Sequence, residues 1–414
     1  MSAPMPATTD ALEILRQRGF VEQISDEAAL SARLNAGSLV FYAGFDPTAA
    51  SLHVGHYIPL LAMAHLVRAG HQAIAVLGGG TAMVGDPSGK TEMRQLITPA
   101  AIAANRDSIA PQVRKIIGES ARVVDNGEWI LPLNYISFLR DIGRHFSVNR
   151  MLSAEAYKMR LEKGLSFIEF NYQLLQAYDF VEMYRRYGLR LQMGGSDQWG
   201  NILAGIDLVR RVRQRETFGL TFPLLTTASG AKMGKTAAGA VWLDPALTRP
   251  YDFYQYFVNV DDRDVIRFLK LLTYVPLEEI AKFESAQGAD LREAKRLLAH
   301  SITTIVHGAA IADEVQAAAR AAFGGGSGGD ESALPTVNVN QARLAQGFKV
   351  VDLIAESGLA PSKSAARRLI EQGGVRIGER KVTSVDDVLG ADEIGEAGIL
   401  LHAGKKHLRR LMRE

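Results

Sequence analysis

Between Ser38 and Arg213, short β-prone runs and longer helical stretches take turns along the chain. Ser38–Gly44, Gln72–Leu77, Arg122–Asp125 and Leu189–Met193 read as strands. His56–Ala69, stopped at Gly70, reads as a helix, as do the stretches 99–117, 153–163, 167–187 and 197–213. A strand that returns through a helix rejoins its sheet in parallel. The alternation therefore predicts an α/β fold with a Rossmann-like parallel sheet and helices on its faces. Ligands of such sheets bind beyond the C-terminal ends of the strands.

From Arg249 to Phe323 the reading is helical throughout. The Gly and Ser run at 324–329 has nothing to pack and marks a linker. Beyond it, Val350–Ser357 and Ser364–Glu371 read as short helices, with Ser362 and Ser364 as candidate caps of the second. Val375–Ile377 and Lys381-Val382 read as strands about a Gly378-Glu379 turn, giving a small α+β module. The expected division is a catalytic domain over 1–230, a loop and helical domain over 231–323, a linker at 324–331 and the module over 332–414.

The chain has 414 residues, enough for two or three domains. Charged residues make up 22%, close to a globular average, which excludes wholesale disorder. The absence of cysteine excludes disulfides and Cys-ligated zinc and fits a reducing cytoplasm. Met1 to Asp10 has neither the basic run nor the apolar core of a targeting peptide. No apolar run reaches the roughly 18 residues of a membrane span.

A net charge of +2 says little about nucleic acid, but its distribution says more. Residues 363–381 hold six basic side chains against two acidic ones, and residues 405–414 hold five against one. Lys363, Arg367 and Arg368 fall on neighbouring faces of one helix, where they can track phosphates. A basic run is commonly a solvated face. Two such runs in one small module favour RNA.

Five short constellations carry the chemistry. The first, from Tyr42 to His56, includes Gly44, Asp46, Thr48, His53, Gly55 and His56, between a strand and the next helix. Free N–H groups at that helix start suit phosphate. His53 and His56 can donate to it, although a His-x-x-His pair also fits metal ligation or plain packing. The second runs from Gly78 to Lys90 and resembles a P-loop. That motif needs a glycine with four residues between it and its Gly-Lys pair, and Val84 stands there. The loop remains glycine-rich and is followed by Lys90 and Arg94, which could serve an anion.

The third offers Tyr172, Gln176 and Asp179 at helical spacing, a stripe that could equally be half-exposed polar surface. The fourth, Gln192 to Asn201, is another strand-to-helix turn and includes Gly195, Asp197 and Gln198. The fifth is Lys232-Met233-Gly234-Lys235-Thr236, with two lysines three apart in a loop of small residues.

In this order the pieces resemble the class I aminoacyl-tRNA synthetases, and within them the bacterial tyrosyl branch. His53-Val54-Gly55-His56 is similar to the His-Ile-Gly-His signature. Lys232 to Thr236 is similar to Lys-Met-Ser-Lys-Ser, with Gly234 and Thr236 in place of the serines. The C-terminal module looks like an S4-type RNA-binding domain. The resemblance implies a homodimer that activates L-tyrosine with ATP and charges tRNA(Tyr), with Mg²⁺ carried by the nucleotide.

It also implies roles for single residues. Thr48, His53 and His56 would contact ATP, as would Gly44, Asp46, Gly55, Gly195 and Asp197. Lys232, Lys235 and Thr236, with Lys90 and Arg94, would surround the departing pyrophosphate. Tyr42 and Asp179 would bind the phenolic hydroxyl, with Tyr172, Gln176 and Asp86 near the ammonium and Gln198 near the carboxylate. Lys363, Arg367, Arg368, Lys405, Lys406 and Arg409 would meet RNA. A P-loop NTPase, the tryptophanyl sibling and a non-catalytic RNA-binding relative are the competing readings. Pyrophosphate exchange separates the last from an enzyme.

Overall fold

The computed structural model describes residues 10–88, 97–230, 233–236, 239–323, 334, 336–360, 362–395, 398–404 and 407–414, with Lys235 and Thr236 described by their backbone alone. The expected linker at 324–331 and the expected contacts from Lys90, Arg94, Lys232, Lys405 and Lys406 lie outside the described residues.

Six strands form the first sheet: β1 (Gln23–Ile24), β2 (Val40–Phe45), β3 (Gln72–Leu77), β4 (Arg122–Asp125), β5 (Leu191–Gly195) and β6 (Phe218–Phe222). Their order is β1-β6-β5-β2-β3-β4. β2 to β6 pair in parallel, and β1 joins β6 antiparallel. The four strands expected from the sequence are present, and β1 and β6 add to them. All five residues of β6 are buried, so it has no alternation to reveal it. β1 is only two residues long. The strand order reverses direction between β2 and β5, and that crevice is where a ligand fits an open α/β sheet.

Local chemistry sets the helices around this crevice. Phe167–Tyr187 starts at a capping box in which Ser166 and Glu169 bond each other's backbone, and it ends at left-handed Gly188. Arg160 pairs with Glu169 at 3.0 Å, both buried, which fixes the same helix start. Val54–Arg68 has His53 at its N-cap.

The chain divides into two compact units. One comprises residues up to 234, 242–244 and 266–281, and the other 235–241, 245–265 and 282–414. Residues 266–281 keep to the first unit because buried Arg18 donates to the carbonyls of Lys270, Thr273 and Val275. The second unit holds a hairpin, β7 (Lys235–Thr236) and β8 (Gly239–Ala240), and long helices at Gly288–His307 and Ala309–Phe323.

It also holds the C-terminal module. There β9 (Thr336–Val339), β11 (Val375–Ile377), β12 (Arg380–Lys381), β14 (Ile399–Ala403) and β15 (His407–Arg413) form one sheet in the order β12-β11-β14-β15-β9. β10 (Phe348–Lys349) pairs with β13 (Val388–Leu389). The two expected helices are Val350–Glu356 and Lys363–Glu371. Ser362 caps the second, while Ser364 lies inside it. Among the described residues, no helix is long and apolar enough to cross a membrane.

Candidate active site

Tyr42 lies in β2, beside the β5 edge of the crevice, and is buried. Among the described residues its hydroxyl has no hydrogen-bond partner. Burial raises its pKa well above the ordinary phenol value, and nearby Asp179 pushes it further. Tyr42 is therefore a neutral donor in search of an acceptor.

Asp179, on the Phe167–Tyr187 helix, is buried. Trp129 Nε1 donates to its Oδ1 at 2.7 Å, and Asn126 Nδ2 donates to its Oδ2 at 2.9 Å. Burial pushes its carboxyl up to about 7, against the pull of those two donors, with further repulsion from Asp46 and Asp125. Each carboxylate oxygen keeps lone-pair capacity for one more donor. Sequence reasoning found Asp179 by its spacing and missed Asn126 and Trp129. The short Gly127–Ile130 helix that carries Trp129 offers too little periodicity to mark it.

A second network starts at Asp46. Its Oδ2 accepts from the Tyr172 hydroxyl at 3.1 Å, and its Oδ1 accepts from Thr81 Oγ1 at 2.9 Å. Asn126 Nδ2 donates to Thr81 at 3.0 Å, and Asn126 Oδ1 receives the Gly80 N–H at 2.8 Å. Asn126 thus joins the two networks. The glycine run at 78–80 is explained by close approach. A Cβ on Gly78 would stand 2.0 Å from Asp46 Oδ1, on Gly79 2.2 Å from Asp125 Oδ1, and on Gly80 2.8 Å from Ile130 Cβ. Gly78 and Gly79 press against carboxylates, so this stretch is not built as an anion cradle.

Asp86, Gln176 and Gln198 meet around Asn201. Gln198 Nε2 donates to Asp86 Oδ2 at 2.7 Å. Asn201 Nδ2 lies 3.1 Å from Gln176 Oε1 and 3.2 Å from Gln198 Oε1. Asp86 is expected near the ammonium of the amino acid and Gln198 near its carboxylate, two groups carried by one carbon. The direct bond between Asp86 and Gln198 makes them one cluster. A cavity of about 540 Å³ opens nearby, with Gln173, Ser196, Asp197 and Asn201 among its lining residues.

The two histidines use matching chemistry. His53 Nδ1 accepts from the Gly55 N–H at 3.0 Å, and His56 Nδ1 accepts from the His53 N–H at 3.2 Å. Their rings stack with centroids 4.0 Å apart. An Nδ1 that accepts from a backbone amide carries no proton. In the neutral ring the proton sits on Nε2, which is then a donor. Gly55 is required because a Cβ there would stand 2.7 Å from the His53 ring. Gly44 and Thr48 are exposed near this turn, and Gly195 approaches Asp197 as closely as a Cβ-free residue allows.

In the module, Arg367 and Arg368 are exposed. Lys363 is exposed and paired with Asp352 at 2.8 Å. Arg409 departs from the expectation of a free RNA contact. It is 11% exposed and grips Asp252 with both terminal nitrogens, at 3.0 and 3.3 Å. Its charge is spent inside the protein.

The family model for class I tRNA synthetases of the tryptophan and tyrosine type matches residues 34–324, and the S4 domain model matches residues 349–394. The chain belongs to the class I tRNA synthetases. The synthetase is 48% identical over 404 residues to the tyrosine–tRNA ligase of Caldanaerobacter subterraneus subsp. tengcongensis, covering 97% of this chain and 98% of that protein. It is 50% identical to the tyrosine–tRNA ligase of Desulfosudis oleivorans, covering 97% and 98%. Among solved structures it is similar to a C-terminally truncated mitochondrial tyrosyl-tRNA synthetase of Aspergillus nidulans. That match has a TM-score of 0.69 and 32% identity, over 76% of this chain and 94% of that one. The synthetase is an aminoacyl-tRNA ligase with a C-terminal S4 domain.

Proposed function

We propose that the synthetase activates L-tyrosine with ATP and transfers it to the 3′ end of tRNA(Tyr). The observation that carries the choice of amino acid is the buried pair of an unpartnered Tyr42 hydroxyl and an Asp179 carboxylate with capacity to spare. A phenolic hydroxyl donates to Asp179 and accepts from Tyr42. Phenylalanine would leave both groups buried and unpaired, which is costly.

A tyrosine carboxylate oxygen attacks the α-phosphorus, and the bond to pyrophosphate breaks. A carboxylate is already a nucleophile at neutral pH, so the chain needs to align the groups and meet phosphate charge. His53 and His56 supply Nε2–H donors at a helix start. Lys235 and Thr236, with Lys90, Arg94 and Lys232, are assigned to the leaving pyrophosphate. Gly44, Asp46, Thr48, Gly55, Gly195 and Asp197 are assigned to the nucleotide, which brings Mg²⁺ as its counterion. The Asp86, Gln176 and Gln198 cluster, with Tyr172, takes the amino-acid head group. Arg367, Arg368 and Lys363 are assigned to tRNA, and a cytoplasmic setting accords with the lack of cysteine.

Tyrosine-dependent ATP–pyrophosphate exchange tests this reading. Exchange with tyrosine and none with phenylalanine or tryptophan is expected. Exchange that ignores the Lys235→Ala change removes the lysine segment from the mechanism. We also assign a homodimer. Leu131, Tyr135, Ile136, Val148, Leu161 and Phe167 are large, apolar and exposed within one stretch of chain. Light scattering on wild type and Ile136→Asp tests it, and a wild-type monomer at micromolar concentration refutes it.

A further inference from the structure

Three segments far in sequence from residues 51–55 meet there, at the turn that delivers His53. Gln112, on the Pro99–Ile117 helix, is the first. Its Oε1 accepts from the Leu52 N–H at 3.0 Å and lies 3.1 Å from Ser51 Oγ. Ser51 is buried, and its Oγ accepts from the Asp244 N–H at 3.1 Å. The second segment is 242–244. Leu243 N–H donates to the Leu52 carbonyl at 2.8 Å, His53 and Trp242 form an antiparallel bridge, and their rings lie 5.9 Å apart.

The third is Gly234, whose φ of +86° is left-handed. A Cβ there would stand 3.3 Å from both Gly55 N and Val54 Cβ. Gly234 and Trp242 are the two points of chain from which the hairpin with Lys235 leaves. Both points are therefore seated on the turn that presents the first histidine.

We infer that Gln112 is a positioning residue for nucleotide chemistry, holding the His53 turn directly and the 242–244 segment through Ser51. One amide oxygen accepts from the Leu52 N–H, and the same oxygen shares the Ser51 hydroxyl with the Leu52 carbonyl, which lies 2.8 Å from Ser51 Oγ. With that acceptor lost, the buried Leu52 amide loses its partner, Ser51 Oγ keeps the Leu52 carbonyl at 2.8 Å, and the turn, with the 242–244 segment bonded to it, loosens from the Pro99–Ile117 helix. The effect falls on ATP rather than tyrosine, because none of these residues belongs to the networks around Asp179 or Asn201. The functional half of this inference rests on the reading of residues 53–56 as nucleotide-binding.

Gln112→Met keeps the side-chain length without the acceptor, and Gln112→Glu restores an acceptor. In pyrophosphate exchange, Gln112→Met should lower kcat/KM for ATP roughly tenfold and leave the tyrosine KM within about twofold. Gln112→Glu should recover most of the loss. Equal losses for ATP and tyrosine, or none for ATP, overturn the positioning role.

Amide hydrogen exchange supplies a readout independent of activity. Gln112→Met should speed exchange at both 51–55 and 242–244 while the Phe167–Tyr187 helix stays protected. Faster exchange at 51–55 alone overturns the coupling. A wild type inactive with tyrosine and ATP would defeat the proposed function and the ATP role together, and exchange would still decide whether Gln112 couples the two segments.

Discussion

Around Asp179 the polar groups are buried and bonded to one another, whereas on the Lys363–Glu371 helix the charged groups stand in water. The difference sets how much one side chain can matter. In a buried network each donor is matched to one acceptor, and removing either leaves the other unpaired away from solvent. On an exposed basic helix each charge is screened and its neighbours carry on without it. The proposed tyrosine pocket should therefore be fragile and selective, and the module tolerant and additive. Four perturbations press on that contrast.

Asp179→Ala should have the largest effect. It removes the acceptor for the ligand hydroxyl and leaves Asn126 Nδ2 and Trp129 Nε1 without it. Tyrosine affinity should fall about 100-fold or more, which is roughly 3 kcal/mol. Calorimetric titration measures it, and a loss under tenfold would mean that the pair does not read the hydroxyl.

The second perturbation is pH together with Trp129→Phe. The Asp179 carboxyl is pushed up to about 7, and its ionised form is the acceptor. Tyrosine affinity should fall as pH drops through 7, by up to about tenfold per unit. The Trp129 N–H favours the ionised form, so Trp129→Phe should move the midpoint upward and weaken binding about tenfold at pH 7. Stability has the opposite sign. Between the ordinary carboxylate value and about 7, the folded protein keeps a proton that the unfolded chain has lost. Asp179 therefore makes the protein less stable as pH rises through that window. Melting curves of wild type and Asp179→Asn should converge at low pH and separate toward neutrality. A pH-independent difference would place the charge elsewhere.

These two tests also show what the sequence could and could not reveal. Tyr172, Gln176 and Asp179 were legible because a 21-residue helix spaces its side chains regularly. The long helices were legible for the same reason, and β2 and β3 as apolar, β-prone runs between them. Asn126, Trp129 and Thr81 were not. They come from the turn after β4, a four-residue helix and a 3₁₀ turn, where no period can accumulate. Their placement depends on the sheet bringing β3 and β4 side by side. β6 escaped because complete burial erases alternation. The glycines at 78–80 show the limit of a residue type, since a run that serves close approach to Asp46, Asp125 and Ile130 has the same letters as one that serves phosphate.

On the module the expected effects shrink. Arg367→Ala with Arg368→Ala should raise the KM for tRNA in charging about fivefold and reduce the salt slope of binding by about two. Pyrophosphate exchange should not change. A collapse of charging comparable to the Asp179 variant would show that these arginines act as a specific lock, and the contrast between the two regions would fail.

The smallest effect on RNA should come from Arg409, which looks like its neighbours in sequence and differs from them in the fold. Its Nε faces the Ser357 carbonyl at 3.4 Å, and its fork holds Asp252. A guanidinium whose donors are occupied by a carboxylate has little field left for a phosphate. Arg409→Ala should leave the tRNA KM within about twofold and the salt slope unchanged. It should lower stability by about 1 kcal/mol, discounted because Asp252 is partly exposed to water. Titrating tRNA against the variant at several salt concentrations decides it. A drop in slope equal to that of one exposed arginine would mean that RNA competes Asp252 away. The ion pair would then be a latch that binding opens, and the rule that only exposed charges count on this surface would not hold.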